Sequence, residues 1–207
     1  MTPISTLIRE QSREVHEEAE ASSLMTAIAS GEVALADYAA LVGQLHWVYS
    51  ALDAGAERWR STPEFATLFD ARLDRRAAIA QDLAALGARP APATAATRAY
   101  AKRITEVAED WPTGLLAHHY TRYMGDLSGG RILGNALGKN LGLTADSGLA
   151  FYHFDIPSIP GFKKTYRSAM DAIPMTAQQK EAFVQEVMRA FSYNTAMFSS
   201  IERRPAE

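Results

Sequence analysis

Apolar residues recur at helical spacing along nearly the whole chain. Leu35, Tyr38, Leu41, Val42, Leu45, Tyr49 and Leu52 follow at intervals of three and four, predicting a long amphipathic helix over roughly 34–60. Phe183, Val187, Phe191, Met197 and Phe198 mark a final helix that ends before Arg203, and the pair Thr176 and Gln179 announces it as a capping box. At the other end, Leu7, Ile8, Val15 and Ala19 predict one helix to about Ala21, with Thr2 as its cap and Pro3 at the first helical position. A short helix carrying Leu24, Met25 and Ile28 opens at Ser22-Ser23 and ends near Gly31. Further helices are expected over 64–86, stopped by Gly87, and over 95–109. Another is capped by Thr113 after the Trp111-Pro112 break, and one starts near Pro160. Ser61-Thr62-Pro63, the Pro/Ala run 88–93 and residues 143–160 read as loops. No stretch alternates as a strand would. The expectation is a single all-α domain, residues 1–207, of about seven to nine helices packed as a globular bundle.

One stretch breaks the pattern. From Tyr120 to Leu133 the sequence reads as helix, yet Gly125, Gly129 and Gly130 surround the carboxylate Asp126. Each glycine costs a helix about 1 kcal/mol relative to alanine. The offset is a kink, or backbone approached closely by a flat ligand. Gly130, Gly134, Gly138 and Gly142 continue as a bare stripe every fourth residue. Such a stripe admits either a large planar group or a neighbouring element. It is no phosphate loop, because no strand precedes it and Gly138-Lys139-Asn140 lacks the hydroxyl residue. It is no membrane motif either, since Asp126, Arg131, Asn135 and Lys139 interrupt it.

Composition narrows the classes. The 207 residues carry 21 Lys and Arg against 24 Asp and Glu, a net charge of −3, so no bulk basic charge points to nucleic acid. The absence of cysteine excludes disulfides, thiolate metal sites and cysteine nucleophiles, and fits a reducing, cytoplasmic compartment. The N-terminus lacks the pattern of a signal peptide, no apolar run is long enough to span a membrane, and no apolar anchor follows Arg204; a soluble form is expected.

Candidate chemistry lies in a few spacings. His16 and Glu20 stand at i,i+4, where a carboxylate can hold one imidazole nitrogen and leave the other for a metal; a surface ion pair has the same spacing. Lys163 and Arg167 are also at i,i+4 and can grip carboxylates, or form a solvated basic face. His46, Trp47 and Tyr49 share one helix and can line an interior surface, while His153 reads as structural.

Three segments together resemble the heme oxygenases: Arg9-x-x-x-Arg13-Glu14-Val15-His16-Glu17-Glu18-Ala19-Glu20; Tyr120-Thr121-Arg122-Tyr123-Met124-Gly125-Asp126-Leu127-Ser128-Gly129-Gly130; and Phe162-Lys163-Lys164-Thr165-Tyr166-Arg167, followed by Phe191 and Asn194. The middle segment is highly specific, and the match runs in the family's order over nearly the whole chain, on its mammalian-like and actinobacterial-like branch. The resemblance implies that His16 ligates heme iron with Glu20 as its hydrogen-bonded partner. It implies that Gly125 and Gly129 lie bare against the heme. Asp126 becomes the distal carboxylate, acting through ordered water, with Tyr49 and Arg122 in its network. Arg9, Tyr120, Lys163 and Arg167 become propionate anchors, with arginine at position 9 where lysine is usual, and Phe191 and Asn194 wall the distal side.

The implied reaction is oxidative cleavage of heme to biliverdin, carbon monoxide and ferrous iron. Heme is substrate and cofactor, O2 is consumed, and electrons come from an external donor such as ferredoxin or a flavoprotein reductase. Matching chemistry at all four anchors implies the α isomer, and a monomer is expected. A non-catalytic heme carrier is the alternative; it has no need of Asp126. A thiaminase-like hydrolase would want a cysteine. A di-iron bundle would want Glu-x-x-His, which none of His16, His46, His118, His119 or His153 satisfies.

Overall fold

A computed structural model describes residues 2–202. Among these there are ten α-helices and no strand. The helices are α1 (Ile4–Gln11), α2 (Arg13–Glu20), α3 (Ser23–Ser30), α4 (Leu35–Trp59), α5 (Arg76–Ala85), α6 (Ala95–Asp110), α7 (Pro112–Gly125), α8 (Arg131–Leu141), α9 (Ile159–Ala172) and α10 (Ala177–Ser199). Arg203 and Arg204, which bound the expected helix end and the expected lack of an anchor, lie outside the described residues.

The expected long helices form, and they make the core. Helix α4 buries Tyr38, Leu41, Leu45, Tyr49 and Leu52 and packs on α5, α6 and α7. Helix α10 packs on α2, α6 and α7 through Phe183, Val187 and Met197. Its Thr176 and Gln179 form the capping box in full. Gly31 ends α3 in the left-handed conformation (φ 78°) that only glycine adopts freely.

Four expectations are corrected. The N-terminal helix is two helices, parted at Ser12 (φ −95°, ψ 4°). Serine favours helix ends over helix interiors, and the break sends α2 off on its own course. Pro3 stands at the N-cap and not inside the first turn, and Thr2 caps nothing. Only 76–85 of the stretch expected as helix over 64–86 is α-helical. Before it, Asp70 and Asp74 accept bonds from the backbone N–H groups of Arg72 and Arg76, and this local capture competes with a continuous helix. Finally, Thr113 is not a cap: Trp111 is, with Pro112 in the first turn. The division at Ser12 and another beside Asp126 raise the count above the seven to nine expected.

Between α7 and α8, Asp126–Gly130 form one π turn. Widened turns of this kind concentrate at functional sites. The two glycine sets diverge here. A Cβ on Gly130 or Gly134 would stand 3.3 or 3.1 Å from the Tyr152 side chain, and one on Gly138 would stand 3.1 Å from the Leu143 carbonyl. Gly130, Gly134 and Gly138 therefore pack under the 143–152 segment, while Gly142 ends α8 in the left-handed conformation (φ 67°), where a Cβ would meet nothing within 4 Å. A Cβ on Gly125 or Gly129 would meet nothing within 4 Å.

Candidate functional site

Those two open glycines border a cavity. On one side lies a pocket of about 330 Å³, walled by Met25, Leu41, Leu45, Leu133, Phe151 and Phe198 and reached by Asp126. Against it lies a second, of about 680 Å³, with Ser5, Arg9, Arg13, Tyr120, Ser128 and Arg167 in its lining. His16, Glu20, Thr121, Gly125, Gly129 and Phe191 border both. The result is one slot, apolar at one end and cationic at the other.

Helix α2 carries His16 to one wall. Its side chain is 47% exposed, and its Nε2 lies 3.5 Å from Glu20 Oε1, beyond the usual range of a hydrogen bond. Phe191 from α10 packs edge-on against the imidazole, ring centroids 5.3 Å apart, which corrects its expected place beside Asn194 on the distal side: the ring belongs to the His16 wall. Among the described residues no group of three or more His, Asp and Glu is placed to hold an ion.

The opposite wall is a buried polar network. The Tyr49 hydroxyl donates to Asp126 Oδ2 and accepts from Arg122 Nε at 3.0 Å. Arg122 also donates to Asp126 Oδ1 at 3.2 Å and to Asn194 Oδ1 at 3.0 Å. Asp126 and Arg122 stand at i,i+4, and all four side chains are buried. Burial pushes the Asp126 carboxyl above its ordinary range, while Arg122 and the Tyr49 bond work against that. Two protein donors leave roughly half of a carboxylate's four lone-pair sites free. Asp126 is thus fixed in orientation and still able to bind solvent in the cavity.

At the cationic end, Lys163 and Arg167 come from successive turns of α9. Arg167 lines the cavity, and half-buried Lys163 donates to the Ser128 hydroxyl. Burial, then the neighbouring Arg167, lowers the Lys163 ammonium. Tyr120 is raised by burial and lowered by Arg167 and Arg9. Arg9 and Arg13 line the same end from the N-terminal helices, and this gathering of cations suits an anion.

The candidate site residues gather around the slot, Tyr49 through its bond to Asp126 and Lys163 through its bond to Ser128, whereas Trp47, expected with His46 and Tyr49 to line an interior surface, is 39% exposed. Among those missed in the lining are Ser5, Thr6, Ser12, Arg13, Thr121, Met124 and Ser128. Arg13 had a signal, because Arg9 and Arg13 repeat the four-residue spacing of Lys163 and Arg167. His46 and His153 are absent from the linings.

A family model described as heme oxygenase matches residues 2–200. The chain belongs to the heme oxygenase family. A curated heme oxygenase from Takifugu rubripes is 35% identical over 206 residues, covering 97% of this chain and 74% of that protein. Among solved structures, heme oxygenase from Leptospira interrogans superposes with TM-score 0.90 at 32% identity, over 96% of this chain and 99% of the other. Heme oxygenase-1 from Synechocystis sp. PCC 6803, solved in complex with heme, superposes with TM-score 0.89 at 34% identity, over 97% and 93%. The all-α architecture is thus that of heme oxygenases. No helix among the described residues is long and apolar enough to cross a membrane.

Proposed function

We propose that the slot receives heme and that the protein opens it oxidatively to biliverdin, carbon monoxide and ferrous iron. One observation carries this reading: a single cavity combines a lone imidazole wall, a bare glycine wall and an end lined by Arg9, Arg13 and Arg167. A flat apolar macrocycle with charged propionates has that distribution of chemistry. When bound, heme supplies the iron that activates O2 and the ring that is cut.

The chain's residues do the rest. His16 would ligate the iron, and Glu20 would close on the imidazole to set its tautomer. Gly125 and Gly129 would let backbone approach the ring. Asp126, held by Tyr49 and Arg122, orients solvent there and passes protons, and Asn194 keeps Arg122 in place. Phe191 buttresses His16. Arg9, Tyr120, Lys163 and Arg167 bind the propionates, fix the ring's rotation about the iron, and so select the α-meso edge. Electrons come from ferredoxin or a flavoprotein reductase docked near Arg9, Lys163 and Lys164, and the protein works as a cytoplasmic monomer.

The test adds one equivalent of hemin, then ascorbate under air. Loss of the Soret band with growth of a broad red biliverdin absorption supports turnover, and chromatography identifies the isomer. A stable Soret band overturns the catalytic reading in favour of heme carriage. A β or δ isomer overturns the assignment of the anchors.

A further inference from the structure

Helix α1 lacks a cap of its own. Pro3 stands at its N-cap and offers no side-chain acceptor, so the free N–H groups of the first turn need a partner from elsewhere. Asp171, near the end of α9, supplies it. Its Oδ1 accepts from the Ser5 backbone N–H at 2.8 Å and its Oδ2 from the Ser5 hydroxyl at 2.7 Å. A carboxylate gripping a helix N-terminus with both oxygens is favoured by charge and by the helix dipole.

The place of this clasp matters. One turn along α1 from Ser5 is Arg9; one turn along α9 from Asp171 is Arg167, and Lys163 is a turn further. Ser5, Arg9 and Arg167 all line the cationic end of the slot. Arg167, Asp171 and Arg9 all act electrostatically on Tyr120, which lies among them. Arg9 and Arg167 stand on separate helices, and the two bonds of Asp171 tie those helices to each other one turn from each arginine.

We propose that Ser5 and Asp171 are positioning residues for the heme: by tying α1 to α9 they fix the separation of Arg9 and Arg167, and with it the rotational setting of the ring. The inference rests on the reading of Arg9 and Arg167 as propionate anchors. Asp171 touches no reacting atom and acts only through these two arginines.

The test compares Asp171→Ala, the milder Ser5→Ala, Arg167→Ala, and Thr176→Ala. The last removes the side-chain cap of α10, whose residue lines neither part of the slot and does not bond Ser5 or Asp171, and controls for lost stability. Each variant is measured for heme transfer to an apomyoglobin trap, for the biliverdin isomers formed, and, without heme, for amide exchange at Ser5 and Thr6. Asp171→Ala is expected to release heme on the order of fivefold faster, to yield a mixture of isomers, and to exchange its α1 amides faster. Ser5→Ala, which keeps the backbone bond, should show a smaller change in the same direction. Thr176→Ala should leave transfer and isomer ratio unchanged. If Arg167→Ala shifts both readouts and Asp171→Ala shifts neither, the clasp inference is overturned while the anchors stand. If Arg167→Ala shifts neither, the anchor reading itself fails. Equal shifts in Thr176→Ala would reduce the effect to general stability and overturn the positioning role.

Discussion

The two walls of the slot are built in opposite ways. On the Asp126 wall, α7, α4 and α10 each contribute to a network whose members are buried and mutually bonded before any ligand arrives. On the His16 wall, α2 buries Ala19 as its one fully buried residue, and its working side chains are exposed. The difference teaches where preorganisation is needed. Groups that orient protons must be aimed in advance, because a misplaced donor loses the reaction. A metal ligand is aimed by the metal it binds.

Breaking the rigid wall should have the largest effect. Asp126→Ala should retain the heme Soret band but lose biliverdin formation by about 100-fold or more in single-turnover assays. Wild-type yield would remove Asp126 from the mechanism. His16→Ala tests the other wall: heme should still enter, but its spectrum should change for want of the axial nitrogen. An unchanged spectrum would place the ligand elsewhere.

Tyr49→Phe sharpens the comparison. It deletes one hydroxyl that bonds both Asp126 and Arg122, leaving the bond between those two. Turnover should fall about tenfold, as expected for one lost hydrogen bond of ~1–1.5 kcal/mol. The fold should survive, as circular dichroism can verify.

The glycines divide the same segment more subtly. Gly129→Ala puts its methyl into open cavity, so the heme-free protein should gain about 0.5–1 kcal/mol in urea unfolding while heme affinity falls. Gly134→Ala puts a methyl 3.1 Å from Tyr152, so it should lose stability with less direct effect on the heme. Equal behaviour of the two variants would erase the distinction between ligand-facing and packing glycines.

The smallest effects concern pH. Buried Asp53 accepts bonds from the Tyr123 hydroxyl and the Arg75 N–H, yet burial pushes its carboxyl up to about 7. Its neutral form is favoured in the folded state, so its contribution is full at acid pH and declines as pH rises through about 7. Glu186 behaves oppositely. Burial raises it, but bonds from Arg103 and His118 outweigh this and lower it to about 2. Its contribution is present above the ordinary carboxylate range and declines as pH falls toward 2. Asp53→Asn should flatten the loss of stability between pH 4 and pH 7, and Glu186→Gln should flatten the acid limb. Denaturant melts across pH would expose an inverted order.

Much of this was legible in the sequence, and what was not has physical reasons. The periods of α4 and α10, the Thr176 box and the glycine run are local patterns, and local patterns survive in one dimension. The break at Ser12 was not legible, because a single serine alters a helical period only slightly. The Asp70 and Asp74 turns were hidden behind apolar Phe65, Leu68 and Phe69, which are buried without being helical. Gly130 and Gly134 suit a planar ligand or a packed neighbour equally in one dimension, and only the fold brings Tyr152 against them. Tyr49 entered the site only through family resemblance, since an aromatic at core spacing carries no local mark of a catalytic role. Asp53 with Tyr123, Glu186 with His118, and Ser5 with Asp171 join residues 70, 68 and 166 positions apart, and no local spacing encodes such pairs.

The exposed setting of α2 has a consequence for the end of the catalytic cycle. With His16 as the proposed iron ligand, bound heme would tie this exposed helix to the rest of the slot and staple that wall shut. Opening the ring and freeing the iron would remove the staple. The door would then be held by the molecule being consumed, and product formation would also be the signal to unlatch. Limited proteolysis within Arg13–Glu20 should therefore be slow in the heme complex and quicken as biliverdin accumulates.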